Sequence, residues 1–91
     1  MKTYVIERHI PGIGGFDNDQ MKGAAATSNA ALDEIGQRIK WVHSYVTADR
    51  TYCIYEAEDE SDIHRHAEIS GFPANKVSEV IRMISPATAD E

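Results

Sequence analysis

Cysteine, basic residues and long apolar runs are all scarce in this chain. Its one cysteine, Cys53, cannot form a disulfide within the chain. Nine basic residues are scattered among fifteen acidic ones, whereas a nucleic-acid-binding protein needs a concentrated positive patch to hold phosphates. No window approaches the roughly 20 apolar residues that span a membrane. These scarcities exclude a disulfide-stabilised scaffold and argue against nucleic acid and membrane as partners.

The length of 91 residues predicts one domain, residues 1–85, followed by a short flexible tail, residues 86–91. A domain of this size buries only about two-thirds of the surface of its unfolded chain. A second copy would therefore be a natural way to enlarge the core. Glu7, Arg8 and His9 interrupt any apolar run near the start, so we expect no signal peptide. With the lone cysteine, this predicts a cytoplasmic protein.

Strand-like and helix-like segments follow one another in the order β-α-β-β-α-β. The predicted strands cover residues 2–10, 41–46, 52–56 and 76–84. The first helix is predicted to begin after Asp17, because Gln20 completes a capping box, and to end before Gly36. The acidic residues Asp59, Glu60 and Asp62 favour the start of the second helix, since the helix dipole is positive there, and Gly71 ends it.

This order predicts an α+β fold, the ferredoxin-like split βαβ sandwich. The four-stranded sheet is antiparallel, and both helices lie on one of its faces because the crossovers are right-handed. The other face, named here the open face, is left bare. A bare face on a small domain is normally covered by a second copy or by a ligand, so we expect a homodimer formed through the open face.

The predicted hairpin concentrates residue types that carry chemistry. Alternate side chains of a strand share a face, and the small set Val42, Ser44 and Val46 suits the face beneath an alanine-rich helix. The open face is therefore predicted to hold Trp41, His43 and Tyr45.

The face on which each residue of the second hairpin strand lies depends on the length of the turn. A three-residue loop places Cys53 and Tyr55 beside them, and a two- or four-residue loop places Tyr52, Ile54 and Glu56 there. The sequence has no Asn-Gly or Asp-Gly turn, which favours the three-residue loop, Ala48–Arg50.

His43 is the strongest candidate ligand, because its imidazole sits mid-strand on the face expected to be open. Glu7 and His9 share a face of the first strand and are placed to join it. Histidine and carboxylate, with a thiolate, suit Ni²⁺ or Zn²⁺. The alternatives are structural: His43 hydrogen-bonded within a dimer interface, and Glu7 in a surface ion pair.

Other chemistry-bearing residues favour structural interpretations. His64 and His66 are two apart on a helix and so cannot face the same ion. His64 is expected to face solvent, and His66 to lean inward and pair with Asp62. Cys53 lacks a CxxC partner and is interpreted as a small buried residue. The glycine-rich segment 12–15 lacks the Walker lysine and is interpreted as a turn.

The chain resembles a bacterial domain-of-unknown-function family of small proteins along nearly its whole length. The blocks that carry the resemblance are Tyr4–Arg8, Ile10–Gly12, Trp41–Thr47, Tyr52–Tyr55, His66–Ala67 and Gly71–Asn75. One member of the family is a nickel-binding protein with a dimeric ferredoxin-like fold. The resemblance therefore implies that fold, a homodimer and nickel binding. Carried over to donors inside the blocks, it implies metal ligands from the set Glu7, His43, Tyr45, Cys53 and His66.

The leading hypothesis is a non-enzymatic cytoplasmic protein that binds nickel or another divalent transition metal for sequestration or sensing. No catalytic residue is assigned, and no organic cofactor is expected. The alternative is a small-molecule-binding or enzymatic domain of the monooxygenase or isomerase type, with a pocket between sheet and helices. In that case His43 would be the general base, and Tyr45 or Tyr55 would orient the substrate.

Overall fold

A computed structural model describes residues 1–91 and contains the expected elements in the expected order. The elements are β1 (Lys2–His9), α1 (Asn18–Ile35), β2 (Ile39–Val46), β3 (Arg50–Ala57), α2 (Glu60–Ser70) and β4 (Lys76–Glu79). The strands pair antiparallel in the order β2-β3-β1-β4. This confirms the predicted α+β, ferredoxin-like arrangement. No helix is long and apolar enough to cross a bilayer.

The ends of both helices follow from local sequence. The Asp17 carboxylate accepts a hydrogen bond from the Gln20 backbone N–H, and the Gln20 side chain accepts one from the Asp17 N–H, as the capping-box pattern predicts. Gly36 and Gly71 end the helices at positive φ angles of 88° and 80°, where a residue with a Cβ is strained. Their N–H groups bond back to carbonyls of the last helical turn.

The core lies between the sheet and the two helices, on the face named here the covered face. Alternate residues of the two central strands point into it, and Ile39 and Ile63 join them from β2 and α2. The buried apolar side chains of β1 and β3 are Tyr4, Ile6, Cys53, Tyr55 and Ala57. The same two strands continue their alternation with Arg8 and Thr51, which are also buried. The covered face is therefore apolar along most of β1 and β3 and carries buried polar side chains at Arg8 and Thr51.

A β-bulge at Val42 corrects the predicted face of Trp41. Trp41 pairs with Tyr55, but the next paired residue of β2 is His43, opposite Ile54. The extra residue turns Trp41 to the covered face, where its ring stacks on that of Tyr55 at 6.3 Å between centroids. His43 and Tyr45 remain on the open face. A bulge adds one residue to one strand, and strict alternation therefore assigned Trp41 to the wrong side.

The hairpin turn has a two-residue loop, so the predicted three-residue loop is wrong. Val46 pairs with Thr51, and Thr47 N–H donates to Arg50 O, which leaves Ala48 and Asp49 between the strands. The register therefore places Tyr52 and Ile54 beside Tyr45 and His43. The other alternating set of β3, with Cys53 and Tyr55, lies on the covered face.

Contacts from a distant loop hold this turn. Ile10 N–H donates to Asp49 O, Gly14 N–H donates to Ala48 O, and Gly12 N–H donates to the Asp49 carboxylate, all within 2.9 Å. The glycine-rich segment forms a 3₁₀ turn, Ile13–Gly15, against the hairpin, which agrees with its interpretation as a turn. These tertiary bonds stabilise a loop that lacks an Asn-Gly or Asp-Gly signal.

The last strand is shorter than predicted. β4 ends at Glu79, opposite Tyr4, and one further bond joins Val80 N–H to Thr3 O. Since β1 begins at Lys2, the chain then runs past the end of its partner strand, and a strand to Ile84 is not formed. The apolar side chains beyond that point are exposed, namely Ile81, Met83 and Ile84. Residues Pro86–Asp90 form a short 3₁₀ helix.

Candidate functional site

The five predicted metal ligands lie on opposite faces of the sheet. By register, Glu7, His43 and Tyr45 are on the open face, and Cys53 is on the covered face. His66 is fully buried on α2 and also faces the covered side. A single ion would therefore take its ligands from one face only.

On the open face, the Glu7 carboxylate contacts two side chains, Arg50 and His9. Its Oε1 accepts a hydrogen bond from Arg50 NH1 at 2.6 Å and lies 3.4 Å from His9 Nε2. The alternation of β1 puts Glu7 and His9 on one face, and the pairing of His9 with Arg50 brings the guanidinium across. One carboxylate and one imidazole thus converge at the end of β1, and the structural alternative for Glu7, a surface ion pair, is also realised.

His43 stands apart from this pair. Its ring meets Tyr45 edge-on at 5.1 Å between centroids. Tyr45 lies in the same cross-strand row as Glu7, joined through Tyr52, while His43 lies in the next row, opposite Ile54. Two strand spacings and one two-residue step separate the Cα atoms of His43 and Glu7 by roughly 12 Å. No three His, Cys, Asp or Glu side chains of one chain are grouped to hold an ion, so one chain alone does not fit nickel.

The covered face holds a buried network centred on Arg8, which is 2% exposed. Arg8 NH1 donates to the carbonyls of Phe72 and Pro73 at 3.2 and 2.9 Å. Its NH2 lies 3.5 Å from His66 Nδ1, and its guanidinium carbon is 6.0 Å from the centre of the Tyr55 ring. Arg8 therefore ties β1 to the segment that follows α2 through neutral partners.

The Arg8 contact fixes the tautomer of His66. A guanidinium only donates, so Nδ1 of His66 accepts and Nε2 carries the hydrogen. Nε2 lies 3.1 Å from Ser28 Oγ and 3.3 Å from Ser28 O. Burial, and secondly the positive charge of Arg8, lower the pKa of His66 from 6.5 to about 4. At neutral pH this imidazole is uncharged.

Ser28 links the network to the sheet. Its Oγ lies 3.1 Å from the hydroxyl of Tyr55 as well as 3.1 Å from His66. Burial raises the pKa of Tyr55, against the lowering effects of the Ser28 hydrogen bond and the Arg8 charge. Cys53 is buried as predicted, and its thiol donates to Thr51 Oγ1 at 3.5 Å. The hydroxyls and the imidazole here are neutral, and Arg8 is the one ionised group of the network.

A cavity of about 170 Å³ opens beside this network, between α1 and the sheet. The side chains of Ala24 and Ala25 on α1 are too small to fill the volume between the helix and the strands, and the cavity results. Trp41, Tyr55, Ile13 and Phe72 are among its apolar lining residues. Arg8 and Ser28 supply polar groups to its wall. The pocket expected under the alternative hypothesis therefore exists with Tyr55 in its lining, but His43 and Tyr45 lie on the opposite face.

Sequence reasoning missed Arg8. The signal was present, since alternation from Tyr4 and Ile6 carries Arg8 onto the buried face. The predicted pairing of His66 with Asp62 is also wrong. Asp62 accepts from Arg38 Nε at 3.1 Å and from the Asp59 backbone N–H at 3.2 Å. His64 is exposed as expected, 3.0 Å from the Glu60 carboxylate.

Two comparisons with known proteins gave matches. The family model described as "Nickel responsive protein SCO4226-like" matches residues 4–80. The crystal structure of SCO4226 from Streptomyces coelicolor A3(2) is similar in fold, with a TM-score of 0.74, at 16% sequence identity. The similarity covers 90% of this chain and 99% of that one. A search of curated proteins found no match.

Proposed function

The chain belongs to the SCO4226-like family of nickel-responsive proteins, and from that premise we propose that it binds Ni²⁺ or a related divalent transition metal on its open face. The observation that carries the proposal is the convergence of Glu7 and His9, with carboxylate and imidazole 3.4 Å apart. Imidazole and carboxylate are both ligands that bind such ions. The formal net charge of −6 also favours a cation.

The proposal requires a second copy of the chain. Tetragonal nickel sites use four or more donors, and one copy brings only two together. Two copies paired through their open faces would double the Glu7–His9 pair and add His43 and Tyr45 from β2, which lies two strands away from β1 in the sheet. Apolar side chains at the centre of the open face, Val5 and Ile54, are only partly buried in the single chain, which supports such a contact.

We propose that the metal is bound for sequestration or sensing in the cytoplasm. A bound ion would act as a charge that links the two copies, and no catalytic role is assigned to it. The cytoplasmic location rests on the single cysteine, which is buried and has no disulfide partner. The ligands assigned to the ion are Glu7, His9, His43 and Tyr45, whereas Cys53 and His66 on the covered face have hydrogen-bond partners within the chain.

Isothermal titration of protein prepared without a histidine tag tests the proposal. Ni²⁺ should bind more tightly than about 100 μM. Glu7→Gln, His9→Ala and His43→Ala should each weaken binding at least about tenfold, the effect expected when a metal site loses a ligand. Arg50→Met should strengthen binding a few-fold, because it removes the guanidinium that competes for Glu7 in an exposed ion pair.

The chain contains a matched control for these variants. Glu60 and His64 form a second carboxylate–imidazole pair, 3.0 Å apart and half-exposed, on the outer surface of α2. His64→Ala should leave nickel binding unchanged. A loss of binding in His64→Ala, together with unchanged binding in Glu7→Gln and His43→Ala, would refute the open-face assignment.

A further inference from the structure

The cavity on the covered face contains a buried positive charge with no anion beside it. Arg8 is 2% exposed, and none of the ion pairs of the chain includes it. Its hydrogen bonds run to two backbone carbonyls and a neutral imidazole, which occupy three of the five guanidinium donors. Arginine is rarely buried without a partner of opposite charge, because an unpaired buried charge is costly.

The rest of the lining is neutral and mostly apolar. Arg8 is its only charged side chain, and ten of its fourteen residues are hydrophobic. An occupant matched to this lining carries a single negative charge and a compact apolar body. The rings of Trp41 and Tyr55 both line the cavity and are nearly parallel, with 17° between their planes, and aromatic rings pack well against one another.

The volume limits the occupant to a small molecule. About 170 Å³ is close to the roughly 150 Å³ of an apolar protein cavity that accepts benzene. One ring with one short substituent fills such a space. A nucleotide or a peptide is too large for it.

We propose that this cavity is a binding site for a small aromatic monocarboxylate, held by Arg8 at its carboxylate and by Trp41 and Tyr55 at its ring. A carboxylate accepts parallel hydrogen bonds from a guanidinium, and the Tyr55 and Ser28 hydroxyls are neutral groups beside it. The site lies on the opposite face of the sheet from the proposed metal ligands, so the two proposals stand or fall separately.

Trp41 supplies the readout, because it is the only tryptophan of the chain and lines the cavity. Benzoate is the probe, and benzamide is its uncharged control of nearly the same shape. Benzoate should change the Trp41 fluorescence saturably and bind at least about tenfold more tightly than benzamide, as expected for a hydrogen bond to a charged group. Equal binding of the two probes, or no saturable change with benzoate, would overturn the proposal.

Two variants test separately the charge of Arg8 and the volume of the cavity. Arg8→Met should abolish the preference for benzoate, whereas Arg65→Met, which removes an exposed charge from α2, should keep it. Ala25→Leu reduces the cavity volume from α1 and keeps the Arg8 side chain, and it should weaken both probes at least about tenfold. Ala25→Leu keeps the test decisive if Arg8→Met does not fold. If folded Ala25→Leu bound benzoate as the wild type does, the probe would lie elsewhere and the assignment would be wrong.

Discussion

At the scale of single residues, burial decides which groups carry charge. Arg8 keeps its charge inside the fold, and that charge reinforces the effect of burial on the neighbouring His66. The imidazole is therefore neutral and can accept at Nδ1 and donate at Nε2 at the same time. Ser28 and Tyr55 complete a chain of hydrogen bonds from β1 to α1. Protonation of His66 would place two positive charges within hydrogen-bond distance.

The pKa of His66 predicts how stability depends on pH. Its folded-state pKa of about 4 lies below the ordinary 6.5, so between these values the unfolded chain binds a proton that the folded chain does not. The contribution of His66 to the free energy of unfolding is fully present above pH 6.5. It decreases as the pH drops toward 4 and does not decrease further below that pH. The loss is roughly 3 kcal/mol. Urea unfolding at a series of pH values should show it.

His66→Gln is the control for this pH dependence. Glutamine has a donor and an acceptor but does not titrate, so the variant should have a flatter stability profile between pH 6.5 and 4. It is also expected to be less stable than the wild type at pH 7, since its amide does not reproduce the ring geometry. A variant profile as steep as that of the wild type would assign the pH dependence to other groups.

At the scale of elements, the order of the elements, the start of α1 and the alternation of β1 follow from sequence patterns, whereas the core face of β3 was predicted wrongly because the hairpin loop has two residues. Capping residues and the alternation of side chains are local signals, and they predicted α1, α2 and the shared face of Glu7 and His9 on β1. The register of the hairpin and the place of Trp41 could not be predicted in this way. The turn is held by residues 10–14, and the bond between Gly12 and Asp49 spans 37 positions of the sequence. A bulge at Val42 inverts the alternation of β2. Both depend on contacts that have no local sequence signal.

Gly14 should be the least replaceable glycine of the loop that holds the turn. A Cβ there would lie 2.7 Å from Ala48 Cα and from Thr47 O, so the backbone of the hairpin would have to move. Gly14→Ala should cost about 1–3 kcal/mol of unfolding free energy, measured by chemical denaturation. Gly15→Ala meets nothing within 4 Å and should change stability by less than about 1 kcal/mol. Equal effects of the two substitutions would contradict the tight contact.

At the scale of the whole molecule, the sheet separates two chemistries. The covered face encloses one buried cation, neutral hydroxyls and an apolar cavity. The open face presents carboxylates, two imidazoles, tyrosines and basic side chains. The sequence indicated the open-face donors because Glu7 and His9 alternate along β1, and His43 and Tyr45 alternate along β2 after the bulge. It did not indicate that Glu7 and His43 lie in different rows, because that depends on the hairpin register.

The proposed pairing of two copies can be tested at the centre of the open face. Ile54→Arg places a charge between His43 and Val5, where it would be buried against a second copy at high cost. In sedimentation velocity the wild type should behave as a dimer and Ile54→Arg as a monomer. Ile69→Arg, at an exposed apolar position on α2, should remain dimeric. A wild type that is monomeric at all concentrations, with and without Ni²⁺, would contradict the pairing.

The four histidines provide the most direct test of the central claim, that the open face binds nickel. His9 and His43 lie on that face, His64 lies on the outer surface of α2, and His66 is buried on the covered face. Ni²⁺ is paramagnetic in most nitrogen and oxygen sites and broadens the NMR signals of nearby nuclei. In a titration of tag-free protein followed through its imidazole signals, His9 and His43 should broaden first and together, while His66 remains sharp. Broadening that begins at His64, or that is absent from all four rings, would contradict the account.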